Sequence, residues 1–130
     1  MSADEKRRGR KPGKGDIPAL VASLAEISDD AIVMRSFAGE IVYWHRGAEA
    51  IYGWSREEAL GKKMHELLAT EFADSAKKVE EELCRVGKWT GELTQRRKSG
   101  TRVTVLSRKI LERDEAGQPR YVLETNTDIS

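Results

Sequence analysis

The sequence predicts an α+β domain: one antiparallel sheet with its helices on one side. Three observations carry this. Two β-rich runs come first and three come last, so strands are consecutive at both ends of the body. The stretch between them has helical spacing and helix caps. The length, 130 residues, suits a single domain with one core, and no long internal repeat divides it.

Residues 1–15 read as a flexible basic tail. Lys6, Arg7, Arg8, Arg10, Lys11 and Lys14 face only Asp4 and Glu5, a balance of +4 in a chain whose net charge is +1. Gly9, Pro12, Gly13 and Gly15 interrupt the charges, and no large apolar side chain follows Met1, so ordering would cost more than burial returns. Residues 16–28 read as an amphipathic helix. Pro18 fits its first turn, and Ile17, Leu20, Val21, Leu24 and Ile27 fall on one face that needs a cover.

The body spans residues 29–130. Ala31 to Met34 and Ile41 to Trp44 are two strands of a hairpin turning at Ala38-Gly39-Glu40. Arg46 to Tyr52 is a short helix closed by Gly53, and Ser55-Arg56-Glu57-Glu58 has capping-box spacing. A turn or short helix spans Lys62 to Leu68, with His65 facing solvent. Thr70 reads as the cap of a longer helix carrying Phe72, Ala76, Val79, Leu83 and Val86 on one face and ended by Gly87. On that helix Cys84 reads as a small core residue, and Glu80-Glu81-Glu82 as a solvated face. Three strands follow, Trp89 to Arg97, Thr101 to Leu111 and Arg120 to Thr127.

Composition removes several functions. Cys84 is the single cysteine, so there is no internal disulfide and no Cys-x-x-Cys zinc pair, which fits a reducing, cytoplasmic setting. No apolar run approaches the roughly 20 residues a membrane helix needs, and no secretory signal opens the chain. Phosphate-loop, dinucleotide and His-Glu-x-x-His patterns are missing, so no catalytic residue is assigned and the chain is read as a non-enzyme.

Several short motifs together resemble one family. Gly53-Trp54-Ser55-Arg56-Glu57-Glu58-Ala59-Leu60-Gly61-Lys62 is similar to a segment seen in many bacterial PAS domains. So are Gly87-Lys88-Trp89-Thr90-Gly91-Glu92, Arg97-Lys98-Ser99-Gly100, Ile110 through Gly117, and the closing Asp128-Ile129-Ser130. The five motifs occur in the family's order. The resemblance implies the PAS fold, a five-stranded antiparallel sheet of order 2-1-5-4-3 whose helices and inner sheet face enclose a small cavity. It also implies a sensory module of bacterial two-component or related signalling. Such a module binds a small ligand or a partner and passes a conformational change to an output domain such as a histidine kinase.

The resemblance allows the family's cofactors to be tested. Flavin-adduct domains carry Gly-x-Asn-Cys-Arg; the equivalent stretch here is Gly61-Lys62-Lys63-Met64-His65, with Met64 at the cysteine position and Lys63 at the asparagine position, so no cysteinyl-flavin chemistry is expected. Haem is not expected either, because the long helix lacks a histidine. Cys84 precedes Gly87 and does not suit the loop cysteine of the photoactive-yellow-protein type. The cofactor stays unknown. The strand and helix patterns give Ile32, Met34, Val79, Leu83, Val103, Val105 and Leu123 as inward-pointing pocket candidates, with Asn126 as a polar handle. Of the tryptophans, Trp44 is placed at the cavity mouth, Trp54 as a wedge for a short helix and Trp89 across its strand. Ile17, Leu20, Leu24 and Ile27 form a candidate dimer seam, and Asp128 a candidate transmission point that would pair with a basic residue.

Two other readings stand beside the sensor. One is a ligand-free PAS module for dimerisation or docking. The other is a weak DNA-binding adaptor, because Arg8-Gly9-Arg10 resembles part of an A·T-hook; without the leading proline, and with Lys11 intervening, a nucleic-acid partner is not expected.

Overall fold

The computed structural model describes residues 27–130. The tail at 1–15 and nearly all of the helix expected at 16–28 lie outside the described residues. Strand β1 (Ala31–Ser36) turns into β2 (Ile41–Trp44). Three short helices follow: α1 (Arg46–Tyr52), α2 (Arg56–Ala59) and α3 (Met64–Leu67). Then come β3 (Glu71–Phe72), α4 (Ala76–Val86), β4 (Lys88–Arg96), β5 (Arg102–Arg113) and β6 (Pro119–Asp128).

The sheet is antiparallel, in the order β2-β1-β6-β5-β4-β3. Five of these strands keep the order expected, and β3 is an added sixth at the edge. That addition corrects the helix expected from Thr70. Glu71 and Phe72 pair with Thr94 and Leu93 instead. The helix begins only after Ser75, whose side chain accepts from the Lys78 N–H. Phe72 matches the helical period by coincidence of spacing, since a half-buried aromatic suits an edge strand equally well.

The other caps follow the sequence. Ser55 and Glu58 form the reciprocal capping box. Gly53 and Gly87 end α1 and α4 in the left-handed region, at φ 81° and 91°. His45 caps α1, its Nδ1 accepting from the Gly47 N–H at 3.1 Å. Gly47 has no alternative residue: a Cβ there would lie 2.1 Å from the Asp30 carbonyl oxygen.

One face of the sheet carries the helices. The main core joins Ala31, Val33, Trp44, Leu93, Val103 and Val105 to Ala48, Tyr52, Ala59, Met64 and Leu68 of the helical segment. A second cluster packs Val79 and Leu83 of α4 on Leu111 and Val122. Cys84 is exposed, which corrects its expected place in the core. It follows Leu83 by about 100° around the helix, and that turn carries it off the buried stripe. Glu80 and Glu81 are exposed as expected.

Candidate functional site

Register fixes which side chains enter the interior. Because strand side chains alternate, every residue opposite Ala31 or Val33 shares the helix-covered face. One rung of that face reads Ala31, Asn126, Ser107, Gly91; the next reads Val33, Glu124, Lys109, Trp89. Val103 and Val105 of β5 and Val79 and Leu83 of α4 are buried on this side. Ile32, Met34 and Leu123 are not: Ile32 pairs with Thr125 and Met34 with Leu123, on the opposite face. Their expected inward orientation is corrected on that ground. An unbroken apolar run such as Ala31 to Met34 does not reveal its own parity.

Two polar networks occupy the inner face. The first is charged. Glu124, fully buried, accepts from Arg35 Nε at 2.6 Å and from Lys109 Nζ at 2.5 Å, and Lys109 also donates to Ser107 Oγ at 3.1 Å. Lys109 Nζ sits 5.6 Å from the Trp89 ring centroid, which completes its surroundings. Burial raises the Glu124 carboxyl, but the charges of Lys109 and Arg35 outweigh it and hold the group down at about 2. Burial lowers the Lys109 ammonium, and Glu124 opposes that shift.

The second network is neutral. Asn126 Nδ2 donates to the Tyr52 hydroxyl at 3.0 Å, and Tyr52 donates to Gln95 Oε1 at 2.5 Å. Gln95 Nε2 donates to Thr70 Oγ1 at 3.2 Å, and His65 Nδ1 lies 2.9 Å from the same oxygen. Tyr52, Gln95 and Asn126 are fully buried. Burial drives the Tyr52 phenol far above its ordinary range, so it stays a neutral hydroxyl. His65 is half-buried on α3 and meets Phe72 edge-on, which corrects the solvent-facing histidine in a turn. Burial pushes its imidazole down to about 4, with Lys109 and Arg35 adding to the shift and Glu124 opposing it. Asn126 Oδ1 is buried and makes no hydrogen bond.

Backbone contacts hold Tyr52 in place. It is the last residue of α1, and its carbonyl accepts from the Lys98 N–H at 2.8 Å. Arg97 Nε donates to the Ile51 carbonyl at 3.0 Å, while its NH2 group reaches Asp128 Oδ2 at 3.4 Å. Arg97 is thus the basic residue that pairs with Asp128, and it links the end of β6 to the end of α1. Trp44 is buried against Tyr52, with its Nε1 donating to the Trp54 carbonyl at 2.9 Å, so it belongs to the core and not to a mouth. Trp54 packs partly on the main core. Trp89 folds its ring over Gly91, where a Cβ would come within 2.6 Å of the ring. Ile27, the one residue of the candidate seam within the described region, is exposed.

Sheet order, helix placement and closing strand all follow one pattern, and the family profile described as the PAS fold matches residues 17–129. The chain belongs to the PAS family. A PAS domain of a protein from Colwellia psychrerythraea superposes on it with a TM-score of 0.72 at 29% identity, over 85% of this chain and 94% of that one. A light-oxygen-voltage domain studied with a flavin analogue gives a TM-score of 0.72 at 24% identity, over 87% and 86%. A PAS domain from a two-component sensor histidine kinase gives 0.69 at 16% identity, over 84% and 93%. Under 25% identity the likeness shows the shared fold and nothing finer. No curated protein matches the sequence. Among the described residues of this PAS domain, no helix is long and apolar enough to cross a membrane, and no cluster of histidine, cysteine and acidic residues suits a metal ion.

The charged and neutral networks were missed in the sequence, except for Asn126. The signal was present, however. Continuing the alternation of Val103 and Val105 by two and four residues reaches Ser107 and Lys109, and stepping back two from Asn126 reaches Glu124.

Proposed function

We propose that this PAS domain is a non-catalytic sensory module, in which a small ligand on the inner sheet face changes the strain on β6. The observation that carries the reading is the make-up of that strand. Glu124 is the hub of the charged network, Asn126 ends the neutral one on an unpaired oxygen, and Asp128 holds the strand end to α1 through Arg97. A ligand that competes for Asn126 therefore acts on the strand whose end Arg97 ties to α1. The output is a partner or a linked domain, of which a histidine kinase is one kind. Ile17, Leu20, Leu24 and Ile27 supply the seam of a homodimer that transmits the change, in a cytoplasmic protein of bacterial signalling type.

Native mass spectrometry on freshly purified protein, with an absorption spectrum of the same sample, tests this. A dimer carrying a non-covalent small molecule is the expected result. A bare sequence mass, with no thermal stabilisation by a panel of small metabolites, would overturn it in favour of a ligand-free docking module. The saturated charged network is the observation that favours that second reading. Charging Leu20 and Leu24 to Asp should convert the dimer to monomer; an unchanged dimer mass removes the seam.

A further inference from the structure

One buried nitrogen of this domain has two claimants. His45 Nδ1 accepts from the Gly47 N–H at 3.1 Å and lies 3.2 Å from the Asp30 carbonyl oxygen. The ring is buried, and its Nε2 has no partner. An imidazole nitrogen holds either a lone pair or a proton. With the lone pair, Nδ1 caps α1 but meets the Asp30 oxygen as acceptor against acceptor. With a proton, it donates to Asp30 but meets the Gly47 N–H as donor against donor. Gly47 makes the meeting possible, because a Cβ there would lie 2.1 Å from the Asp30 oxygen and 3.0 Å from Nδ1.

Both claimants sit where position matters. Asp30 is the last residue before β1, and the chain that carries Ile17, Leu20 and Leu24 enters the fold through residues 28–30. That lead-in is otherwise held by Ser28 Oγ, which accepts from the Asp30 N–H at 3.1 Å, and by an exposed Asp29–Arg46 pair at 3.8 Å. Gly47 lies in the first turn of α1, and the last turn of α1 is tied through Arg97 to Asp128 of β6. Helix α1 therefore touches the entering chain at one end and the closing strand at the other.

We infer that His45 is a proton-operated latch between the entering chain and α1: the neutral ring caps α1, and the protonated ring drops the cap and takes the Asp30 carbonyl instead. The input is a proton, so the latch stands apart from any ligand of the inner sheet face. Histidine suits the task, since imidazole is the ordinary side chain that changes charge between roughly pH 5 and 8. The charged groups around the ring are Asp29 and Asp30 on the lead-in, Arg46 and Glu49 on α1 and, by register, Asp128 on β6. Arg46 pairs with Asp29, Glu49 accepts from the Arg56 N–H at 2.7 Å, and Arg97 engages Asp128. The Asp30 carbonyl is the acceptor already within reach of Nδ1.

The test uses the full chain and NMR. At about pH 8 the His45 ring should show a bare Nδ1 and a protonated Nε2; as pH falls to about 5, both should carry protons. In step with that change the Gly47 amide should lose its hydrogen-bonded shift, and the Asp30 carbonyl carbon should gain one. Hydrogen exchange at Gly47, corrected for its intrinsic pH dependence, should quicken about five-fold, the worth of one cap bond. His65 serves as the control, since burial holds its ring down at about 4 and keeps it neutral over that range. His45→Asn should keep the cap and abolish the switch, because an amide accepts from Gly47 with its oxygen and donates to Asp30 with its nitrogen at every pH. Gly47 and Asp30 signals that ignore the titration of His45 overturn the inference. So does a ring protonated at Nδ1 at about pH 8, or one still neutral at about pH 5 in the folded domain. Signals that still move together in His45→Asn overturn it as well.

Discussion

Two buried polar groups stand two residues apart on the same face of β6, and they are built on opposite terms. Glu124 is charged and saturated: Arg35 and Lys109 take its oxygens, and Ser107 and the Trp89 face take up the rest of Lys109. Asn126 is neutral and ends its chain of hydrogen bonds with an atom to spare. A closed buried ion cluster holds strands in register and offers a ligand little, because removing any member strands a charge. An open neutral chain tolerates exchange of partners at low cost. The contrast separates an anchor joining β1, β5 and β6 from the element that the proposed ligand would engage.

Breaking the anchor should give the largest effect. Glu124→Leu leaves two buried cations without their carboxylate and should cost about 3–5 kcal/mol in urea unfolding. A loss below about 1 kcal/mol would mean that the cluster is not the anchor. The next effect comes through pH. The folded pKa of His65, about 4, lies below its unfolded value, so unfolding takes up a proton between the two. Its contribution is present above about pH 6.5 and is lost as pH falls towards 4. Thermal unfolding over that window should show about 3 kcal/mol of lost stability, and His65→Gln should flatten it. Glu124 contributes lower down: its folded pKa near 2 is depressed, so its stabilisation fades only as pH falls below about 4.5 towards 2. A wild-type profile flat from 6.5 to 4 would contradict the buried neutral His65.

Within the neutral network the effects should shrink towards its open end at Asn126. Tyr52→Phe removes the central hydroxyl and leaves Gln95 Oε1 and Asn126 Nδ2 without partners, at a cost of about 1–3 kcal/mol. Asn126→Leu should change stability by less than about 1 kcal/mol, because the amide it removes is already half unpaired and the new side chain buries more apolar area. If Asn126→Leu proved as damaging as Glu124→Leu, the two halves of β6 would both be anchors and the distinction would fall.

Five of the six strands, the caps at Ser55 and Gly53 and the stop at Gly87 were legible in the sequence because each depends on near neighbours, while the strand order came only from the family resemblance. A turn needs a residue that accepts positive φ, and a cap needs an oxygen three residues from its donor. Strand β3 was not legible: two residues carry no period, and only the pairing of Glu71 and Phe72 with β4 makes them a strand. The exposure of Cys84 and the enclosure of His65 depend likewise on what packs against their helices.

The sequence by itself determined the α+β class and the positions of most elements. Local chemistry and the alternation of side chains suffice for that. Only the tertiary structure decided that Ile32, Met34 and Leu123 face away from the helices, because parity in an all-apolar run is fixed by the partner strand. It alone joined Arg35 to Glu124 and Tyr52 to Asn126, residues 89 and 74 positions apart. Hydrogen bonds over such separations leave no trace in local spacing, since they exist only once the sheet has brought its strands together.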